Sequence, residues 1–245
     1  MVKKKELKKL LNLNFVDLTN KTYLVGKYNL PYVSCSLTSN PDYLALYSER
    51  RNYFKTNNTW VCFYLYDTKF DTIDGIFNAI YYADERRLKK IKERFHGVKY
   101  AIAPDYSQCG DMPKIENLYR LFKSRIVSLW LLLEMDIVVI PNITYASEDY
   151  FDSMFDGIEN CETVAFSVKG SVKDVEERNL LLKAIEVTTN CLTNLKKIIV
   201  YSVSIDDEKI KKLFDYPVSK GIEIVIPDNL LKERNVFLKG ARQNG

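Results

Sequence analysis

Val98–Pro113, VKYAIAPDYSQCGDMP, and the later run Asp136–Tyr145, DIVVIPNITY, decide how this chain folds. Val98–Ala103 and Ile137–Ile140 are short apolar runs that read as strands. Each leads into a proline and a polar residue, Pro104-Asp105 and Pro141-Asn142. Between them apolar residues recur at positions 115, 118, 119, 122, 126, 129, 130 and 133, which is helical spacing. Asp111 suits the N-cap of that helix, and Pro113 suits its first turn, where a missing N–H costs nothing. The stretch is one strand–helix–strand unit with polar groups at the carboxyl end of both strands. In parallel α/β folds ligands gather at that end.

The same alternation extends in both directions. Leu30–Cys35, Trp60–Tyr66, Thr163–Val168, Lys197–Val203 and Ile222–Ile226 read as further strands. Pro41-Asp42 reads as the opening of a short helix or turn, and Ser48–Thr59 as a charged surface loop. Helical patterns cover Asp74–Phe95, Ser147–Phe155, Val175–Leu192 and Asp206–Phe214. Gly97 closes the first of these and Asp156-Gly157 the second. Strands alternating with helices predict an α/β fold with a parallel sheet. Chain length favours an imperfect TIM-like barrel, with an open doubly wound sheet as the alternative. The expected organisation is a basic N-terminal helix and lead-in over 1–30, an α/β domain over 31–231, and a basic tail over 232–245, frayed or partly helical.

Composition narrows the chemistry. The 245 residues are 47% hydrophobic and 28% charged, enough for a sizeable core under an ordinary surface. A net charge of +4, from 36 basic and 32 acidic residues, does not by itself imply nucleic-acid binding. The apolar run Ile126–Ile140 is broken by Glu134 and Asp136 and is too short for a bilayer, so no membrane partner is expected. Cys35, Cys62, Cys109, Cys161 and Cys191 form no C-x-x-C pair, and one histidine is present. That pattern predicts reduced thiols in a cytoplasmic setting and disfavours a zinc site. Cys109 as nucleophile would need His96, which ends a helix on the face away from the strand exits. No Walker loop, dinucleotide fingerprint or nucleophile elbow is present.

The candidate site comes from the strand exits. Asp67, Asp105 with Ser107, Asn142, Lys169-Gly170-Ser171, Ser202 with Ser204, and Asp228 all follow apolar runs. Facing one mouth, Asp67, Asp105 and Asp228 would hold a magnesium ion or divide acid and base roles. Asn142 would orient a substrate heteroatom, and Lys169 with the backbone at Gly170 would hold a phosphate. The competing explanation is that such residues cap the following helices. Asp105 escapes it, because Asp111 supplies the next cap. Arg120 and Arg125, on a largely buried helix, need partners, either Asp105 or Asp111 or a ligand phosphate. Arg50-Arg51 beside Tyr53 and Phe54 offers charge and stacking to a nucleic-acid strand, or is a plain solvated loop.

Ala103–Ser107, Asp111-Met112-Pro113, Tyr119-Arg120, Arg125 and Val139–Ile143 together resemble a family of phage, plasmid and other mobile-element proteins, catalogued as a domain of unknown function. Phe155–Ile158 and the Lys169–Ser171 exit are similar to it too, so the likeness covers about residues 60–230. The chain carries Tyr145 where the family tends to have tryptophan, and Val168 where it tends to have a small residue. Should those positions line the pocket, substrate preference would differ. The resemblance implies a mobile-element setting and brings no activity with it. The leading expectation is an enzyme acting on a nucleotide, a base or a nucleic-acid end, with Asp105, Asp67 and Asn142 catalytic. Ser107, Arg125, Tyr145, Lys169, Gly170, Ser171 and Asp228 are then substrate-binding. The rival is a non-catalytic protein that binds nucleic acid or a host protein during replication or counter-defence. The sequence leaves the oligomeric state and the cofactor, magnesium or otherwise, open.

Overall fold

The computed structural model describes residues 15–36 and 39–243. The basic helix expected over residues 2–13 lies outside them. A short helix α1 (Phe15–Thr19) precedes an antiparallel pair, β1 (Leu24–Val25) with β2 (Leu30–Pro31). Seven strands then run parallel: β3 (Tyr43–Leu46), β4 (Thr59–Cys62), β5 (Tyr100–Ile102), β6 (Val138–Ile140), β7 (Thr163–Ser167), β8 (Lys197–Tyr201) and β9 (Glu223–Val225). They form two sheets, ordered β3-β4-β5-β6 and β7-β8-β9. Single parallel bridges join these sheets at both edges, Asn142 with Ala165 and Tyr43 with Asp228. At the first edge Ala165 N donates to the Pro141 carbonyl at 2.8 Å, and at the second Leu44 N donates to the Asp228 carbonyl at 2.8 Å. The strands follow one another in chain order, but no continuous ladder closes them. The α/β fold takes the form of two open parallel sheets.

The helices lie between the strands. Ile76–Tyr81 (α2) and Glu85–Phe95 (α3) follow β4, and Lys114–Met135 (α4) joins β5 to β6. Phe151–Met154 (α5), Val175–Cys191 (α6), Asp207–Lys211 (α7), Asp215–Ser219 (α8) and Leu230–Gln243 (α9) are the remaining described α-helices. Alternate strand residues feed two clusters. Tyr43, Ala45, Val61 and Ala101 pack with residues of α2, α3 and α4. Leu44, Leu46, Trp60, Cys62, Ile102 and Ile140 pack with Val164, Phe166, Ile198 and Val200 of the second sheet. The two sheets thus share a core. Among the described residues no helix is long and apolar enough to cross a membrane.

Four expectations are corrected. The first parallel strand is Tyr43–Leu46, not Leu30–Cys35, and Pro41-Asp42 leads into it rather than into a helix or turn. YLAL is buried at every position, and four buried residues carry neither period by which strand and helix are told apart. The helix expected over Asp74–Phe95 is two helices. Ala83 adopts a left-handed φ of 55°, and the Asp84 carboxylate accepts the Arg87 backbone N–H at 3.0 Å to start α3 afresh. Asp111 does not cap α4, where the N-cap position belongs to Pro113 with no side-chain cap. The basic tail, expected to be frayed or partly helical, is helical through Gln243. The Asn229 side chain roots that helix by donating to the Ser202 carbonyl at 2.7 Å.

Candidate functional site

The loop after β5 is fixed at three points. Ser124 Oγ, from α4, donates to the Pro104 carbonyl at 2.7 Å. The buried Asn117 amide takes the Cys109 N–H at 3.2 Å and donates to the Cys109 carbonyl at 2.8 Å. The Asp67 carboxylate, from the exit of β4, accepts the Ser107 N–H at 3.0 Å and its hydroxyl at 3.1 Å, and pairs with Arg120. Those bonds hold the Asp105 backbone over the ends of β5 and β6. The Asn142 side chain, two residues beyond β6, donates from Nδ2 to Asp105 Oδ1 at 2.8 Å. Its Oδ1 accepts the Tyr64 hydroxyl at 2.7 Å. The Tyr64 ring stacks on Tyr201, at the end of β8, with centroids 4.7 Å apart. Three strand ends thus meet in one hydrogen-bonded chain, Tyr64–Asn142–Asp105, and the Tyr201 ring from the second sheet packs on its first member.

This chain opens into a cavity of about 250 Å³. Asp105, Ser107, Asn142, Tyr145, Lys169 and Ser171 line it. Asp105 is half-buried, and its carboxyl is pushed up to about 7, first by loss of hydration and then by the nearby Asp67 charge. The Asn142 hydrogen bond and the Lys169 charge oppose that rise. Lys169 is exposed and has no ion pair among the described residues. Next to it Gly170 adopts φ +99°, and a Cβ there would touch nothing within 4 Å. Burial also pushes the Tyr145 phenol up, helped by the Glu177 and Asp105 charges.

Of the residues singled out from sequence, Asp105, Ser107, Asn142, Tyr145, Lys169 and Ser171 come together, with Gly170 in the same loop. Asp67 stands behind Ser107 and is occupied by it and by Arg120. Arg120 therefore pairs with Asp67, and also with Glu116 at 3.1 Å, rather than with Asp105 or Asp111. Arg125 is not at the cavity. It is buried beneath the α5 turn, where Nε donates to the Asp156 carbonyl at 3.2 Å and Nη2 to the Met154 carbonyl at 2.9 Å. Burial lowers its pKa to about 10. Asp228 is also elsewhere. Its side chain is 63% exposed and pairs with Lys232 at 3.1 Å. The three-carboxylate magnesium set is not assembled. Among the described residues no group of three or more His, Cys, Asp or Glu side chains is placed to hold a metal ion. Tyr64, Tyr201 and Asn117 escaped the sequence reading. The first two sit among other aromatics in apolar strands, and Asn117 sits mid-pattern in a helix, so none carries a local signal.

Residues 23–217 match the model of a domain of unknown function, DUF4417. The chain belongs to the DUF4417 family. Two curated relatives come from bacteriophages, in keeping with the mobile-element resemblance. Gene 1 protein of Mycobacterium phage L5 is 34% identical over 132 residues, covering 53% of this chain and 52% of that protein. Gene 1 protein of Mycobacterium phage D29 is 30% identical over 120 residues, covering 49% and 40%. The chain thus spans about half, or less, of the length of the curated relatives it matches. The DUF4417 match takes in Tyr64, Asp67, Asp105, Asn142, Tyr145, Lys169 and Tyr201, and ends before Asp228.

Proposed function

We propose that this DUF4417 chain is an enzyme that moves a proton on a nucleotide or nucleobase substrate held in the strand-end cavity. The observation that carries this reading is the convergence of Asp105, bonded through Asn142 to Tyr64, with Lys169 on one small cavity. A carboxyl whose pKa lies about 7 exchanges its proton readily at neutral pH, as a general acid or base must. Asn142 has its amide fixed by Tyr64, so its N–H₂ faces Asp105 and holds that carboxyl toward the cavity. Lys169 supplies a point charge for a phosphate, and the open backbone at Gly170 lets N–H groups approach it. Tyr145 offers an aromatic wall against which a base can lie. The volume suits one base or one sugar phosphate and is small for a dinucleotide cofactor.

The test is thermal melting against a panel of bases, nucleosides and nucleotides, with and without magnesium, followed by turnover assays on whatever binds. The Asp105→Asn variant is expected to keep ligand binding and to lose turnover by about 10²–10⁴-fold. A panel without any selective rise in melting temperature, or an Asp105→Asn protein that turns substrate over like the wild type, refutes the proposal.

A further inference from the structure

A larger hollow lies beside the site. A groove of about 750 Å³ runs along α3 between the Thr68–Gly75 segment and Arg50. Its basic residues are Arg50, Lys69, Arg86, Arg87, Lys90 and Arg94. Its acidic residues are Asp74, Asp84 and Glu93, and Arg87 pairs with the first two. Arg50 and Arg94 use their guanidinium groups on the Glu93 and Tyr47 carbonyls, which leaves their charge without a carboxylate partner among the described residues. Lys69, Arg86 and Lys90 are exposed and have no ion pair among the described residues. The eleven residues of α3 make this basic face about 16 Å long.

Two exposed aromatic residues belong to the segments that border it. Phe54, 63% exposed, lines an adjoining hollow of about 490 Å³ that shares Arg50, Glu93 and Arg94 with the groove. Tyr66, 80% exposed, precedes Asp67 and the groove-lining Thr68 in the chain. Asp67 in turn holds Ser107, which lines the Asp105 cavity. A basic track with stacking rings is the arrangement that holds single-stranded nucleic acid, with phosphates on the cations and bases on the aromatic faces. An acidic peptide would use the charges but leave Phe54 and Tyr66 unexplained.

We propose that the groove along α3 binds single-stranded nucleic acid and that the strand runs past Tyr66 toward the Asp105 cavity. The substrate of the site is then a nucleotide within or at the end of a strand. That last step rests on the function proposed above, while the groove itself stands apart from it.

The experiment measures fluorescence anisotropy of labelled oligothymidylate, about 15 nucleotides long, across a salt series. Wild type is compared with Arg86→Glu/Lys90→Glu, Phe54→Ala/Tyr66→Ala and Asp105→Asn, each first shown by circular dichroism to melt cooperatively. The charge reversal is expected to weaken binding at least tenfold and to flatten the salt slope by about 0.7 for each phosphate deprived of its cation. The aromatic variant is expected to weaken binding at a nearly unchanged salt slope. Asp105→Asn should bind the oligomer like wild type. Wild type that binds no oligomer, or a charge reversal with wild-type affinity and slope, overturns the groove. Oligomer binding that survives while no nucleotide is turned over removes the proposed enzyme and leaves the groove standing.

Discussion

Replacing Asp105 by Asn should make the protein more stable at neutral and alkaline pH and leave it unchanged in acid. Asn keeps the size of the side chain and an oxygen to accept the Asn142 N–H₂, so the change removes charge and little else. The carboxyl rises from its ordinary 3.8 to about 7 in the fold. Each pKa step of one is about 1.4 kcal/mol, so the ionised form costs about 4 kcal/mol as an upper limit. Asp105 opens on the cavity and water relaxes part of that, so about 2–4 kcal/mol is the working range. The sign is set by linkage. The folded-state pKa is raised, so the stabilising contribution of the protonated group is complete below about pH 4. It is lost as pH climbs from there through about 7, because the unfolded chain gives up its proton first. The Glu49 and Asp156 carboxyls are raised too and act in the same direction, but they are common to both proteins and cancel in the difference. The assay is thermal melting of both proteins from pH 4 to 8.5. At about 2–4 °C per kcal/mol for a chain of this size, the gap should open from near zero to about 5–15 °C. A gap that is the same at pH 4.5 and pH 8 would refute the claim that Asp105 is held protonated by its surroundings.

Four further substitutions separate structural from ligand-binding roles. Arg125→Met should lower stability by about 2–4 kcal/mol in urea melts, because the Met154 and Asp156 carbonyls lose their buried donor, yet leave nucleotide affinity intact. Lys169→Met should do the reverse, weakening phosphate-bearing ligands in titration calorimetry about tenfold or more at little cost in stability, since the lysine has no ion pair among the described residues. Gly157→Ala should cost more than about 2 kcal/mol, because its φ is +87° and the new Cβ would lie 2.4 Å from the Pro31 carbonyl oxygen. Gly170→Ala carries only the left-handed strain of about 1–2 kcal/mol, and comparing the two by denaturant melting tests whether the second glycine is kept free of neighbours for a ligand.

Local rules read much of this fold because most of its elements are decided locally. Apolar runs ending in Pro104-Asp105 and Pro141-Asn142 have one sensible interpretation, and both strands form. The strand ends also located most of the cavity, because parallel crossovers put every exit on one side. What failed was whatever depends on a distant partner. Tyr43–Leu46 is a strand because β4 and the Asp228 bridge flank it, and nothing within those four residues says so. Arg125 looked like a phosphate ligand because an arginine on a buried helix needs acceptors. The structure meets that need with two backbone carbonyls instead, an outcome no side-chain pattern records.

The same limit explains why Tyr64 and Tyr201 passed unnoticed. Each occupies an apolar strand or its edge, as buried aromatic residues usually do, and only their meeting across two sheets sets the Tyr64 hydroxyl against Asn142. The Tyr64 hydroxyl points the Asn142 oxygen one way, and that fixes the amide nitrogen on Asp105. The Tyr201 ring holds Tyr64 in place, and its own buried hydroxyl has no hydrogen-bond partner among the described residues. β5 and β6 end level, with Ile102 paired to Ile140, and Asp105 and Asn142 meet just beyond those ends. The acid is therefore built by neighbours from β4, β6 and β8, with its own strand supplying little beyond the position. It follows that Tyr64→Phe, far less drastic than a change at Asp105 itself, should free the Asn142 amide to rotate. The Asp105 pKa then moves further up, because a hydrogen bond that favours its ionised form is loosened. In thermal melts of Tyr64→Phe with and without Asp105→Asn, the stability gap should therefore keep widening to a higher pH than in the wild-type background. A gap that levels off at the same pH in both backgrounds would show that Tyr64 does not act on Asp105 through Asn142.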